Sequence, residues 1–216
     1  MKNLTAGYSR RKALLQIAAI TMAAGLSGMV IPAIAGNPPK NADPLQPFYL
    51  PPAKEILQPG PGGINIRTWV SSTQTNKQFS CVEAAVAPKK MGSPPHIHKD
   101  LDEICYVLEG TASVLVNGKL FEVRAGGFHL RPHGIEHTFF NGFDKPIRFM
   151  DLYFNQNFED YLEELVFKIT PDMVKNNLSP MDPGIAKRMA INDEKFGVTM
   201  FPQKRQAIVD KYGLIP

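Results

Sequence analysis

Cysteine is scarce in this chain, with two residues among 216. Cys81 and Cys105 both fall on predicted strands, and neither lies at a spacing that would join a metal site with the histidines. Two cysteines allow at most one disulfide, which adjacent strands could form if the protein folds outside the cytoplasm. Burial as two free thiols is an equally good interpretation. The sequence therefore leaves both states open.

An excess of one charge is also lacking once the first 35 residues are set aside. The whole chain holds 24 basic and 20 acidic residues. Four of the basic residues and none of the acidic ones lie in residues 1–35, so residues 36–216 hold 20 of each sign. A neutral domain has neither the basic footprint that binds nucleic acid nor a polybasic membrane patch. Nucleic acid is therefore not an expected partner.

Residues 1–35 have the three parts of an export signal. Arg10 and Arg11 precede an apolar run that begins at Ala13, and the run ends in the small residues Ala33-Ile34-Ala35. The paired arginines resemble the twin-arginine type of signal, although Ala13 stands where that pattern prefers phenylalanine. An uncleaved membrane anchor is the alternative, but glycines and a proline late in the run disfavour a stable spanning helix. We therefore expect an exported, periplasmic protein with no stable membrane span after signal removal.

Histidine is rare too, and all five histidines fall in one window in the middle of the chain. His96 and His98 are two residues apart, so their side chains share one face of a strand. The polar stretch 99–102 is a plausible turn that returns Glu103 to this face, and His137 arrives from a later strand. Three imidazoles and one carboxylate make a site for one divalent transition metal with room for a substrate. Iron, manganese, nickel, copper and zinc are all admissible.

The spacing of these residues resembles two consecutive motifs of the cupin superfamily. Residues 96–110 follow the first motif and residues 126–141 follow the second, which contains Pro132-His133-Gly134, without a gap. One glycine departs from the pattern, because Gly92 precedes the first histidine by four positions rather than six. The resemblance covers roughly residues 63–154. It implies a small antiparallel β-barrel around a metal ion with the ligands His96, His98, Glu103 and His137.

We expect an all-β fold, a single cupin barrel of the jelly-roll type, followed by a C-terminal helical extension. Eight prolines in residues 36–62 predict an extended arm. Residues 63–154 alternate with period two and predict eight to ten strands, with Asn117-Gly118 as a tight hairpin turn. Apolar residues at helical spacing predict helices in residues 155–216. These helices would cover an outer sheet face or close one mouth of the barrel.

Alternation along the strands predicts what the barrel encloses. If Glu103 and His137 point inward, the other inward residues are Cys105, Val107, Phe139 and Asn141. Such an interior suits a small organic ligand with an apolar body. Arg131 and Arg148 could pair with an acidic ligand, but we interpret both as solvated surface residues. For His129 and His133 we predict structural roles, or support of the metal ligands from outside.

The ligand set favours a metal-dependent oxygenase, and it resembles the quercetin dioxygenase type of cupin. This resemblance implies a small enol, catechol or polyphenol as substrate, with Glu103 as the general base that takes its proton. A redox-neutral isomerase, lyase or decarboxylase that uses the metal as a Lewis acid is a second hypothesis. A non-catalytic module that binds a sugar or small metabolite is a third, because one fold hosts many activities. Many cupins pair through their sheets, so a homodimer is a further hypothesis.

Overall fold

Ten strands form two antiparallel five-stranded sheets in a computed structural model that describes residues 44–215. The predicted export signal and residues 36–43 of the predicted arm lie outside the described residues. The first sheet has the strand order β1-β2-β9-β4-β7 and the second the order β10-β3-β8-β5-β6. The strands are β1 Ile64–Val70, β2 Phe79–Val86, β3 His96–His98, β4 Asp102–Glu109, β5 Thr111–Val116, β6 Lys119–Arg124, β7 Phe128–Arg131, β8 His137–Phe140, β9 Ile147–Phe154 and β10 Val198–Met200. This jelly-roll arrangement, with helices after it, confirms the predicted fold class.

The predicted hairpin turn lies between β5 and β6. Asn117 and Gly118 both have positive φ angles, of 45° and 77°, and the register pairs Val116 with Lys119. Two consecutive positive φ angles are the signature of a type I′ turn, which Asn-Gly favours and which matches the twist of the two strands. The turn therefore sets the register of the hairpin that separates the two histidine-containing segments.

A period of two governs burial in the strands that face the barrel interior. In β9 the residues Ile147, Phe149, Asp151 and Tyr153 are buried and their neighbours are half-buried. In β4 the inward residues are Glu103, Cys105 and Val107, as predicted. Away from the polar residues, the space between the sheets is filled by valines and phenylalanines of both sheets. Burial of this apolar surface is the main driving force for folding.

The C-terminal region contains four α-helices and a π-helical turn: α1 Phe158–Glu164, the π-helical turn Leu165–Ile169, α2 Thr170–Asn176, α3 Pro183–Phe196 and α4 Arg205–Tyr212. Phe158 in α1 lies between the two sheets, in contact with His98 of one and Tyr153 of the other. Ile208 in α4 packs with Phe140 on the outer face of the second sheet. The region therefore fulfils both of its expected roles: it fills one end of the barrel and covers an outer face. Among residues 44–215, no helix is both long and apolar enough to cross a membrane.

The tenth strand was not expected from the sequence. Gly197 ends α3 in the left-handed conformation, with a φ of 62°. The chain then pairs antiparallel with β3, with Val198 opposite His98 and Met200 opposite His96. The C-terminal region therefore supplies the edge strand next to two of the predicted metal ligands.

Candidate metal centre

The structure brings all four predicted ligand residues to one point. His96 and His98 lie on β3, Glu103 on β4 and His137 on β8, and each offers one donor atom within 4.8 Å of the others. His137 Nε2 lies 2.7 Å from Glu103 Oε1, and His96 Nε2 lies 3.2 Å from His98 Nε2. Pairing of β3 with β8 sets His96 opposite His137, and Glu103 faces them from the other sheet. All four side chains are buried, with at most 6% of any residue exposed.

Backbone carbonyls fix the tautomers of two of the histidines. His96 Nδ1 lies 2.9 Å from the carbonyl oxygen of Pro94, and His137 Nδ1 lies 2.9 Å from that of Ile135. A carbonyl only accepts hydrogen bonds, so each Nδ1 carries the proton and donates it. Each Nε2 therefore presents a lone pair to the shared centre, which is the usual orientation of a histidine that binds a metal.

Two of the donor atoms at the centre have no hydrogen-bond partner. Within residues 44–215, Glu103 Oε1 and His137 Nε2 are buried and accept no hydrogen bond, although Oε1 forms an ion pair with Arg131 Nε at 3.2 Å. At 2.7 Å these two atoms place lone pairs against each other, because the proton of His137 is on Nδ1. A buried acceptor without a partner costs about 1–3 kcal/mol. A divalent cation among the four atoms would remove this penalty, so the residues fit the metal ion that the motifs imply.

Burial keeps two of the imidazoles neutral, as a metal site requires. Burial, and then the charges of His137 and His98, lower the pKa of His96 to about 3. Burial likewise lowers the pKa of His98 to about 4, although the charge of Glu103 opposes this change. Burial alone would raise the pKa of Glu103, but the Arg131 charge opposes this rise, and the pKa lies below its usual range. At neutral pH the site therefore holds neutral His96 and His98 beside an ionised Glu103.

The interpretation of Arg131 as a solvated surface residue is wrong. Only 1% of it is exposed, and its Nε lies 3.2 Å from Glu103 Oε1. Its Nη2 donates a hydrogen bond of 2.5 Å to Asp151 Oδ1, and Tyr153 donates one of 3.1 Å to the other oxygen of Asp151. Register explains the burial, because β7 places Arg131 opposite Glu103 and hence on the inner face. No local pattern encodes the register between β7 and β4, so the burial of Arg131 could not be predicted from the sequence.

Asp151 was also missed. It is buried beside Arg131 on β9, and the sequence offered only its place in an alternating strand. Burial raises the pKa of Asp151 to about 6, while the Arg131 charge opposes this rise and the Glu103 charge adds to it. The candidate site is therefore larger than four ligands. It includes a buried guanidinium that lies between two carboxylates.

The remaining charged residues named from the sequence lie outside the site. Arg148 is half-buried rather than fully solvated, and it forms ion pairs with Glu83 at 2.5 Å and with Glu109 at 3.4 Å. His133 donates its backbone N–H to Asp102, and its ring contacts the same carboxylate at 2.7 Å. His129 stacks edge-on against Phe121, with ring centroids 4.8 Å apart. None of these side chains joins the four converging residues.

The two cysteines are free thiols. Cys81 pairs with Leu152 and Cys105 pairs with Asp151, on opposite sides of β9. Neighbouring residues of a strand point to opposite faces, so one thiol faces outward and the other inward. A strand also separates β2 from β4, and two strand spacings exceed the reach of a disulfide. The sequence allowed either a disulfide or two free thiols, and the structure has two free thiols.

An aromatic cluster borders the four residues on the side of the helices. The Phe158 ring packs edge-on against His98 with centroids 4.9 Å apart, and it stacks on Tyr161 at 4.7 Å. Phe139, predicted to face inward, packs against Phe149 inside the barrel at 5.3 Å. The wall of the site is therefore apolar on one side and charged on the side of Arg131.

Comparisons with known proteins agree with this fold. Residues 82–153 match the family described as Cupin domain. No curated protein sequence matches the chain. KdgF from Halomonas sp. is similar in structure, with 20% identity over 45% of this chain and 84% of that one and a TM-score of 0.41.

Two further solved structures show a similar likeness. A polyketide cyclase, RemF from Streptomyces resistomycificus, has 26% identity over 47% of this chain and 71% of that one, with a TM-score of 0.40. A sugar phosphate isomerase of the cupin superfamily from Silicibacter pomeroyi has 22% identity, with a TM-score of 0.39. That likeness spans 44% of this chain and 60% of that one. Part of the double-sheet region, residues 82–153, matches the family described as Cupin domain, and the cluster of three histidines and one glutamate could hold a metal ion as in cupins.

Proposed function

We propose that this protein is a metal-dependent oxygenase acting on a small enol, catechol or polyphenol. The observation that supports it most directly is the convergence of three imidazole nitrogens and one carboxylate oxygen within 4.8 Å. The four ligands of the one divalent metal ion would be His96, His98, Glu103 and His137. Bound there, a redox-active ion such as iron, manganese, nickel or copper would supply reactivity with dioxygen, whereas zinc would supply Lewis acidity alone.

Glu103 is the residue that we propose as the general base. The Arg131 guanidinium, 3.2 Å from Oε1, keeps this carboxylate ionised in the absence of other cations. If Glu103 is only weakly bound to the metal, an enol or phenol hydroxyl that reaches the donor atoms would meet its carboxylate as a nearby proton acceptor. The protein would then stabilise the deprotonated substrate, which is the form that reacts with dioxygen.

The aromatic cluster suits a planar, apolar substrate. Phe158 and Tyr161 present a stacked pair of rings next to His98, and ring–ring contacts favour aromatic or enolic ligands. The four ligand residues are almost fully buried, so an organic substrate reaches them only if neighbouring side chains move. We propose that Phe158, which packs against His98, is the side chain that moves. The same cover would exclude bulk water from the reaction.

Oxygen consumption tests the proposed reaction. The mature protein, loaded in turn with each of the five metals, would be assayed in an oxygen electrode with a panel of enols, catechols and polyphenols. We expect one metal to support oxygen uptake that depends on substrate, and we expect Glu103→Gln to reduce kcat about 100-fold or more. Absence of uptake with every combination would contradict the proposal.

The same protein preparation distinguishes the other two hypotheses. Turnover of a hydroxy or keto acid without oxygen would establish a redox-neutral enzyme. Tight binding of a sugar or metabolite that is recovered unchanged would establish a binding module. Both assays use the same metal-loaded protein, so all three hypotheses are compared on one preparation.

We also propose that the protein acts in the periplasm after export through the twin-arginine route. Arg10, Arg11 and the small residues before Gly36 support this proposal. N-terminal sequencing of the periplasmic form should begin at Gly36. Replacing both arginines with lysine keeps the charge but should leave the precursor in the cytoplasm. Normal export of that variant would contradict twin-arginine routing, though not export itself.

A further inference from the structure

We propose that Arg131 and Asp151 are positioning residues that hold Glu103 in place as the fourth metal ligand. The inference rests on the proposed metal site and concerns residues that do not belong to the four donors. Arg131 acts through Glu103, and Asp151 acts through Arg131. Neither side chain is expected to touch the substrate.

The first step is the contact between Arg131 and Glu103. Arg131 Nε lies 3.2 Å from Glu103 Oε1, and this same oxygen lies 2.7 Å from His137 Nε2. The guanidinium therefore contacts the very atom that faces the shared centre. Both residues are at most 4% exposed, so no solvent competes for the contact. Arg131, which lies opposite Glu103 in the pairing of β7 with β4, holds the carboxylate toward the three imidazoles.

The second step is the contact between Arg131 and Asp151. Nη2 donates to Asp151 Oδ1 at 2.5 Å, and Tyr153 donates to Oδ2 at 3.1 Å. The guanidinium carbon also lies 5.7 Å from the centre of the Phe139 ring. Contacts on several sides restrict the rotamer of Arg131, and the Asp151 carboxylate pairs with its fully buried charge. Asp151 thereby holds the Arg131 guanidinium in place, and the guanidinium in turn holds Glu103.

The third step is the arrangement of the strands. β4 lies between β7 and β9 in the first sheet. Its inward residue Glu103 lies opposite Arg131 of β7, and its inward residue Cys105 lies opposite Asp151 of β9. In contrast, the three histidines all come from the second sheet. Glu103 is therefore the one donor of the four that must reach across from the opposite sheet. It is the ligand whose position depends most on neighbours in its own sheet.

A buried ion pair could serve the fold alone, and this alternative makes a different prediction. A merely structural pair would change the free energy of unfolding equally with and without metal. A positioning pair changes the affinity for the metal and the set of bound ligands. Removal of groups that orient metal ligands typically weakens metal binding about 10–100-fold.

Cobalt(II) binding to purified variants tests the inference, because cobalt absorbs visible light in a way that reports its ligands. In Arg131→Met/Asp151→Leu the pair is removed as a unit, so that Asp151 is not left as an unpaired buried carboxylate. Arg131→Lys keeps the charge but not the forked geometry. Arg148→Met is the matched control, because Arg148 also pairs with a buried carboxylate of the first sheet but faces away from the site. Glu83 keeps Arg67 and Trp69 as partners in that control.

We expect the double variant to bind cobalt(II) about 10–100-fold more weakly than the parent, as measured by competition with a chromogenic chelator. Its absorption spectrum should change because the carboxylate leaves the ligand set. Arg131→Lys should recover part of the affinity, and Arg148→Met should stay within about twofold of the parent, as expected of a residue that supports no metal ligand. If the double variant does not fold, Arg131→Lys decides alone, through a weaker affinity and an altered spectrum.

Parental affinity and a parental spectrum in the folded variants would overturn the inference and leave the metal site intact. An equal loss in Arg148→Met would also overturn it, because the effect would then be general to the sheet. A parent protein that binds no cobalt(II) would refute the proposed metal site itself, and the inference with it.

Discussion

At the scale of the residue, the candidate site is defined by which atoms carry protons. The carbonyl oxygens of Pro94 and Ile135 accept from the Nδ1 atoms of His96 and His137, which leaves both Nε2 lone pairs at the centre. His98 has no such carbonyl partner within residues 44–215, and the edge-on ring of Phe158 sets its orientation instead. Hydrogen bonding therefore orients two ligands, and packing orients the third.

The buried histidines predict how the stability of the metal-free protein depends on pH. The pKa of His96 is about 3 and that of His98 about 4 in the folded chain, against about 6.5 in the unfolded chain. Between pH 6.5 and 4 the unfolded chain therefore binds protons that the folded chain does not. The free energy of unfolding falls as the pH falls through this window, by up to about 1.4 kcal/mol per unit for each histidine.

Urea titrations of metal-free protein at pH 7 and pH 5 measure this slope. The variant His96→Gln/His98→Gln removes both groups and should show a shallower dependence on pH. Equal slopes for the two proteins would contradict the assignment of buried neutral histidines.

At the scale of the element, the shortest strand of the site depends on a strand from the far end of the chain. β3 has three residues, and its pairing with β8 is limited to His96 and His137. β10 pairs with all three residues of β3. Hydrogen bonds from Lys99 to Gly197 and from Phe201 to Pro95 continue this ladder on both sides. The C-terminal region therefore holds two predicted metal ligands in place.

Thr199→Pro tests the dependence of β3 on β10. Thr199 lies opposite Ile97. Hydrogen-bonded and non-bonded pairs alternate along an antiparallel ladder, and hydrogen bonds join Gly197 to Lys99 and Phe201 to Pro95, two residues away on either side. Thr199 is therefore at a hydrogen-bonded position. Proline removes that donor, so we expect metal affinity to fall about tenfold or more through loss of ligand position. Thr199→Ala keeps the donor on this exposed position and is the control. Calorimetric titration that gives equal affinities for both variants would show that β10 does not position the histidines.

Phe158 at the start of α1 packs against His98, so we expect its ring to slow the release of metal from the site. Phe158→Ala removes the ring that covers His98, whereas Phe158→Leu keeps much of the buried volume. We expect the alanine variant to release metal to a chelator several-fold faster and to lose about 3–5 kcal/mol of unfolding free energy. Stopped-flow absorbance with an excess of chelator measures the release. Identical rates for the parent and both variants would place the route to the metal elsewhere.

At the scale of the whole molecule, the barrel and the helices share one core. Phe158, Tyr161, Phe196 and Val198 belong to the same buried cluster as the valines and Phe149 between the sheets. A second buried cluster joins Phe140 of β8 to Ile208 and Val209 of α4. The two-sheet barrel is therefore not closed by its own strands alone.

Truncation after Asn155 tests whether the barrel folds without the helices. The shortened chain loses β10 and exposes Phe140, so we expect it to aggregate or to show no cooperative thermal transition. Circular dichroism in the near ultraviolet, together with thermal unfolding, measures this. A truncated chain that unfolds cooperatively near the parental temperature would show that the helices are accessory.

The sequence predicted the parts of this molecule that local patterns control. Alternation located the strands, Asn117-Gly118 located the hairpin, and the histidine spacing located the cluster of four. It did not predict β10, because three residues, Val198 to Met200, are too short a run for alternation to be recognised. It misplaced Arg131, because the face of β7 depends on a register that no local pattern encodes. Export, the substrate and the pairing of two chains stay predictions.

X-ray absorption at the edge of the bound metal is the most direct test of the account. The metal-loaded protein should show three imidazole nitrogens and one carboxylate oxygen at about 2.0–2.2 Å, with any remaining ligands supplied by light atoms of solvent. The signal should lose one imidazole in His137→Gln. A coordination shell that contains sulfur, or one unchanged by that substitution, would contradict the convergence of these four side chains on a metal ion.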